Sequence, residues 1–115
     1  MEKVKLQAQY GLYINGQWRD ASDGATYNAE SPADGSHLAI CAQGTREDVE
    51  AASAAAWEAF KTWKKTTPAQ RAALLNKIAD IIDANKEHLA MVESMDNGKP
   101  IRETMNVDIP MAAEH

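Results

Sequence analysis

The chain has 115 residues, of which 44% are hydrophobic and 25% charged, and its formal net charge is −5. This is the composition of a soluble globular domain, and its acidity argues against a nucleic-acid partner, which would be met by clustered Lys and Arg. A single cysteine, Cys41, excludes an internal disulfide and argues against a secreted, disulfide-stapled domain. Residues 1–7 hold no apolar run that would serve as a signal peptide or membrane span, so no membrane partner is expected and a cytoplasmic location is the default.

Residues 1–10 are polar and weakly patterned, which predicts a loose N-terminal arm. Leu12-Tyr13-Ile14 and Gln17-Trp18-Arg19 then flank Asn15-Gly16. Asn-Gly between two β-prone runs predicts a hairpin, because both central positions need positive φ. A second turn is expected at Ala21-Ser22-Asp23-Gly24, a third strand over Thr26–Glu30, and a further turn at Ser31-Pro32-Ala33-Asp34-Gly35. A fourth strand follows over residues 37–43, with Leu38, Ile40 and Ala42 on one face. The pattern predicts two antiparallel strand pairs.

After Gly44 the period changes to that of a helix. Thr45 is placed to cap it, with Asp48 three residues on as a weaker partner for a capping box. Val49, Ala52, Ala56, Ala59, Phe60 and Trp63 fall on one stripe. Glu47, Asp48 and Glu50 at the start and Lys61, Lys64 and Lys65 at the end suit the helix dipole. Thr67-Pro68-Ala69-Gln70 opens a second helix with a cap, a proline and a box-closing glutamine. Its stripe is Ala72, Leu75, Ile78, Ala79 and Ile82, widened by Leu74 and Ile81.

Asn85 is expected to cap a third helix that points Leu89, Val92 and Met95 inward and stops at Gly98. Pro100 opens a short fourth helix through residue 106. Asp108 reads as the cap of a fifth, with Pro110 in its first turn. Seven residues follow Asp108 without a stop signal, whereas isolated helices below ~12–15 residues are marginal in water. The expectation is an N-terminal piece of a larger protein, truncated inside a helix.

The residues show no catalytic constellation. Cys41 lies among Ala39, Ile40 and Ala42 with no cation or histidine beside it in sequence, and reads as a small buried hydrophobe rather than a nucleophile. His37, His88 and His115 match no metal spacing. The six glycines are isolated, and none completes a G-x-G-x-x-G or P-loop pattern. Glu47, Asp48 and Glu50 read as a solvated helix start rather than a site. Trp18, Trp57 and Trp63 read as packing rather than ligand stacking.

Taken together, the segments resemble the N-terminal region of the aldehyde dehydrogenase superfamily. The matching pieces are Tyr13-Ile14-Asn15-Gly16-Gln17-Trp18, the turn at Ser31-Pro32-Ala33-Asp34-Gly35, and Thr45-Arg46-Glu47-Asp48-Val49 with its alanine-rich helix. They continue with Arg71-Ala72-Ala73-Leu74-Leu75-Asn76-Lys77-Ile78-Ala79-Asp80 and with Asp96-Asn97-Gly98-Lys99-Pro100 followed by Glu103-Thr104. No single motif is decisive; the ordered set, from Tyr13 onward, is specific. Ser31 departs from the pattern, since the family commonly has asparagine before this proline, which bears on the local turn hydrogen bonds.

The resemblance implies an α/β fold in which β-hairpins precede four or five helices and the parallel cofactor-binding sheet lies mostly beyond this chain. Residues 11–115 would be the N-terminal portion of the cofactor-binding domain. The implied activity is NAD- or NADP-dependent oxidation of an aldehyde to a carboxylic acid through a cysteine thioester, by a homodimer or homotetramer. The family's catalytic and cofactor-binding residues fall beyond position 115, so the chain alone is expected to be inactive scaffold. Some relatives hold a structural Na⁺ or K⁺ at positions matching the Asp108 carboxylate and the backbone carbonyls of Ala29 and Glu30, a role compatible with Asp108 as a helix cap. The alternative is a stand-alone helical protein-interaction module with a β-hairpin arm, binding a partner through an exposed apolar face.

Overall fold

The computed structural model describes residues 4–115. They divide into two compact units. One comprises Gln7–Ala29 and Ala39–Thr66; the other comprises residues 4–6, Glu30–Leu38 and Thr67–His115.

The hairpin of the first unit forms as its sequence requires. β2 (Leu12–Ile14) and β3 (Gln17–Arg19) pair antiparallel with Leu12 opposite Arg19. Asn15 and Gly16 both take positive φ, 52° and 76°, the mirror-image turn that matches strand twist. Tyr13 and Trp18 face each other across the strands with ring centroids 5.0 Å apart. Gly11 is held to glycine by its neighbour: a Cβ there would sit 2.7 Å from the carbonyl oxygen of Arg19.

The other strands form a three-stranded sheet in the order β1-β5-β4, with β1 at Gln9–Tyr10, β4 at Thr26–Glu30 and β5 at His37–Ala42. Here the expectation of two antiparallel pairs needs correction. The last two residues of the supposed loose arm form β1, which pairs parallel to β5 with Gln9 opposite Ile40 and Tyr10 opposite Cys41. A two-residue strand has no period to read. It exists only because a partner some thirty residues on supplies the ladder.

α1 (Arg46–Trp63) starts at Thr45, whose extended backbone (φ −93°, ψ 175°) breaks into the helix and whose side chain completes a reciprocal capping box with Asp48. α2 (Pro68–Ala84) starts the same way at Thr67 with Gln70. Both boxes are as expected. The expected cap at Asn85 is not made: its side chain does not accept from α3 (Lys86–Asn97), and its Nδ2 donates backwards to the Ile81 carbonyl at 2.8 Å. Asn85 thus closes α2 with its side chain and opens α3 with its backbone alone, its carbonyl accepting the Leu89 N–H at 2.9 Å. α3 ends on Gly98 in the left-handed region (φ 78°), where a Cβ would also meet Pro32 Cγ at 2.9 Å.

The last stretch is one rod rather than two short helices. α4 (Ile101–Glu103) runs into a π turn (Thr104–Asp108) and on into α5 (Ile109–Glu114). Pro100 stays extended just outside it, and its carbonyl accepts from Glu103 N–H at 2.9 Å. Asp108 has right-handed dihedrals (φ −65°, ψ −51°) and makes no capping bond, so the fifth-helix cap is corrected as well. In the second unit α5 packs chiefly on α2, and α3 packs on the π turn. The centre of that packing is Thr104, fully buried. Its Oγ1 lies 3.0 Å from the Ala90 carbonyl and 2.9 Å from Ser94 Oγ, so the hydroxyl's bonding capacity is satisfied inside.

Among the described residues the buried apolar side chains are only alanines: Ala21, Ala39 and Ala90. The stripe of α1 is real but uncovered, and that of α2 largely so. Val49 is 67% exposed, Trp57 68%, Leu75 66% and Ile78 53%. α5 shields only the Ala79–Ile82 end of the α2 stripe, and nothing else among the described residues covers these faces.

Candidate functional site

Two carboxylates bear on a candidate site. Asp48, at the third position of α1, is 2% exposed. Its Oδ2 accepts from the N–H of Thr45 and of Ser22, both at 3.0 Å, and lies 3.1 Å from Thr45 Oγ1. Its Oδ1 accepts from Arg19 Nη2 at 3.2 Å. Ser22 Oγ and Thr45 Oγ1 lie 2.6 Å apart, tying the Ala21–Gly24 turn to the helix start. The backbone N–H of Thr45, then that of Ser22, hold the Asp48 carboxyl below its ordinary value of 3.8; burial opposes them, and the Thr45 hydroxyl and the Arg19 guanidinium add to the lowering. A carboxylate so well supplied with donors is a poor general base at neutral pH. Its role is to clamp hairpin, turn and helix together. The reading of the α1 start as a solvated acidic face holds for exposed Glu47 and Glu50, and is corrected for Asp48.

Asp108 is the second. Its Oδ2 lies 2.6 Å from Lys99 Nζ, with 26% of the Asp108 side chain exposed. That ion pair raises the Lys99 ammonium above its ordinary 10.5, with Glu93 and Glu103 adding to the favourable field and desolvation opposing. Of the other residues expected at a cation, Ala29 is half-buried in β4 and Glu30 is exposed at the end of that strand. Ala29 belongs to the first compact unit, and Glu30 and Asp108 to the second.

The remaining candidates stay apart. Cys41 is half-buried in β5 opposite Tyr10. His37 and His88 are exposed, and His115 Nδ1 lies 2.8 Å from the Met111 carbonyl. Among the described residues no group of three or more His, Cys, Asp or Glu side chains is placed to hold a metal. No helix among them is long and apolar enough to cross a membrane. Trp57 and Phe60 meet edge to face at 5.8 Å on the open side of α1, and Lys64 Nζ lies 5.7 Å from the Phe60 ring centre. These aromatics pack on each other rather than into a core. In the second unit Met91, Met95, Leu38 and Val4 line a cleft of about 430 Å³ with Ser31 and His37. Sequence reasoning missed it because its walls come from three separated stretches.

A model of the aldehyde dehydrogenase family matches residues 18–115. The chain belongs to the aldehyde dehydrogenase family. It is 43% identical over 112 residues to the EPTC-inducible aldehyde dehydrogenase of Rhodococcus erythropolis, covering 97% of this chain and 22% of that one. It is likewise 43% identical over 113 residues to a long-chain-aldehyde dehydrogenase of an Acinetobacter species, covering 98% and 22%. The crystal structure of PnpE in complex with nicotinamide adenine dinucleotide superposes with a TM-score of 0.88 at 42% identity, over 91% of this chain and 22% of that one. The chain therefore spans about a fifth of the length of these relatives, and it corresponds to the N-terminal part of the aldehyde dehydrogenase fold.

Proposed function

We propose that this chain is the N-terminal scaffold segment of an NAD- or NADP-dependent aldehyde dehydrogenase, which oxidises an aldehyde to a carboxylic acid through a cysteine thioester. The observation that carries this reading is the end-to-end match, at 43% identity, to about a fifth of named aldehyde dehydrogenases. The chemistry of the residues supports the division of labour. The six glycines complete no phosphate-binding pattern, Cys41 is half-buried in a strand, and the one buried carboxylate among the described residues, Asp48, is too stabilised to take a proton at neutral pH. The dinucleotide would thus be bound by other parts of the enzyme. The exposed apolar faces of α1 and α2 would be covered in the assembled protein, which we take to be a cytoplasmic homodimer or homotetramer. The near-complete alignment disfavours a stand-alone interaction module.

Calorimetric titration of this chain with NAD should give no affinity tighter than millimolar. A protein that continues this sequence to the length of its relatives should reduce NAD or NADP with an aldehyde and yield a trappable thioester. Sub-millimolar NAD binding by the 115-residue chain, or no turnover with a broad aldehyde panel by the longer protein, would overturn the reading. Reading the coding sequence past His115 separates it from the interaction module at little effort.

For Asp108 we propose, on resemblance, a part in holding Na⁺ or K⁺ together with the carbonyls of Ala29 and Glu30. A carboxylate has acceptor capacity beyond one ammonium, so the Lys99 pair and a cation are compatible. Asp108→Asn should abolish any Na⁺- or K⁺-specific shift in the melting temperature of the longer protein. An unchanged shift would remove Asp108 from the site.

A further inference from the structure

Pro110 lies in a helical rod that continues on both sides of it, since Asp108 and Ile109 are both right-handed. In regular α geometry a proline there offers no N–H to the carbonyl of Asn106, four residues back, and its ring clashes with that carbonyl. The backbone widens just upstream: the N–H of Ile109 reaches back five residues to the Thr104 carbonyl. Asn106 also turns its side chain onto the rod, Nδ2 donating to the Arg102 carbonyl at 2.9 Å.

We propose that Pro110, assisted by Asn106, builds this π turn as a phase-setting device, fixing the rotation of the rod so that Asp108 meets Lys99 and the Ala112–Ala113 edge meets α2. A π turn holds about one residue more than an α turn, and one α-helical residue is ~100° of rotation and ~1.5 Å of rise. A relaxed rod would therefore turn Asp108, at the end of the π turn, and everything after it by about that angle. Asp108 would leave Lys99, now 2.6 Å away, and Ala112 and Ala113 would leave the cleft they line with Leu75, Ile78 and Ile82 of α2. The competing cause is the packing around buried Thr104, which would hold the wide turn with or without the proline.

Scalar couplings across hydrogen bonds, measured by NMR on the 115-residue chain, identify the acceptor of each N–H directly. The unsubstituted chain should couple Ile109 N to the carbonyl carbon of Thr104. In Pro110→Ala that coupling should move to Met105, and side-chain contacts between Lys99 and Asp108 should vanish. Deleting Val107 in the Pro110→Ala background removes the extra residue, so a regular α-helix then restores the original phase and the Lys99–Asp108 contacts. If Pro110→Ala does not fold but the deletion variant folds with those contacts, the proposal holds. It is overturned if Pro110→Ala keeps the Ile109–Thr104 coupling. It is also overturned if the deletion variant lacks the contacts or fails to fold.

Discussion

Asp48 and Asp108 look alike in sequence, each an acidic residue at an expected helix start, and they end in opposite situations. Asp48 is buried under four donor groups from three separate stretches. Asp108 sits in mid-rod, partly in solvent, with one lysine. The difference comes from the backbone just before each. Thr45 is extended just outside α1, so its own N–H is free to meet the Asp48 carboxylate, which also takes the N–H of Ser22 from the preceding turn. Before Asp108 the chain is already helical, its N–H groups are spent, and the side chain turns outward to the nearest cation.

The largest effect should come from Asp48→Asn. It sets an NH₂ group against the N–H donors of Thr45 and Ser22 and the Arg19 guanidinium, and should lower the melting temperature more than Thr67→Ala, Asp108→Asn or Leu75→Ala. The pH dependence follows from the lowered pKa. The stability Asp48 contributes is present above about 3.8 and is lost as pH falls through its folded value below that. Acid titration of unfolding should show this limb in the unsubstituted chain and not in Asp48→Asn. Equal acid sensitivity of the two would mean that the clamp contributes nothing.

Thr67→Ala isolates a capping box that has no such additional partners. It should cost ~1 kcal/mol by urea unfolding, within the usual ~0.5–2 range for a lost cap. A larger loss than that of Asp48→Asn would invert the ranking. Asp108→Asn should cost less than Thr67→Ala, because the Lys99 pair is partly exposed and screened by salt. What it contributes is present below about pH 10.5 and is lost as pH rises through the raised Lys99 value. Alkaline unfolding should therefore be less steep in Asp108→Asn, and added salt should narrow the gap.

The smallest effect should be that of Leu75→Ala. At 66% exposure it should change the stability of this chain by no more than about 0.5 kcal/mol, as open surface positions do. In a protein of the relatives' length, with that face covered, the same change should cost ~2–5 kcal/mol. Equal costs in the two would show that the α2 face stays open in the longer protein.

What the sequence determined by itself are the features whose causes lie within about four residues. Asn15-Gly16 carries the positive φ of its hairpin turn, Thr45 and Thr67 each meet a box partner three residues on, and Gly98 alone fits a left-handed helix end. The ordered set of such signals was also enough to reveal the family. Tertiary structure decided what has distant causes. Arg19 and Ser22 reach Asp48 across 29 and 26 residues, so its burial was invisible locally. β1 needs β5, and Thr104 needs Ala90 fourteen residues back. Asn85 and Asp108 have the side chains of caps, but neither makes a side-chain capping bond: the Asn85 amide turns back onto the Ile81 carbonyl, and the backbone at Asp108 is already helical. Hydrophobic stripes specify which face of a helix avoids water; only a partner surface covers it, and within the described residues the α1 stripe stays open while α5 covers only part of that of α2.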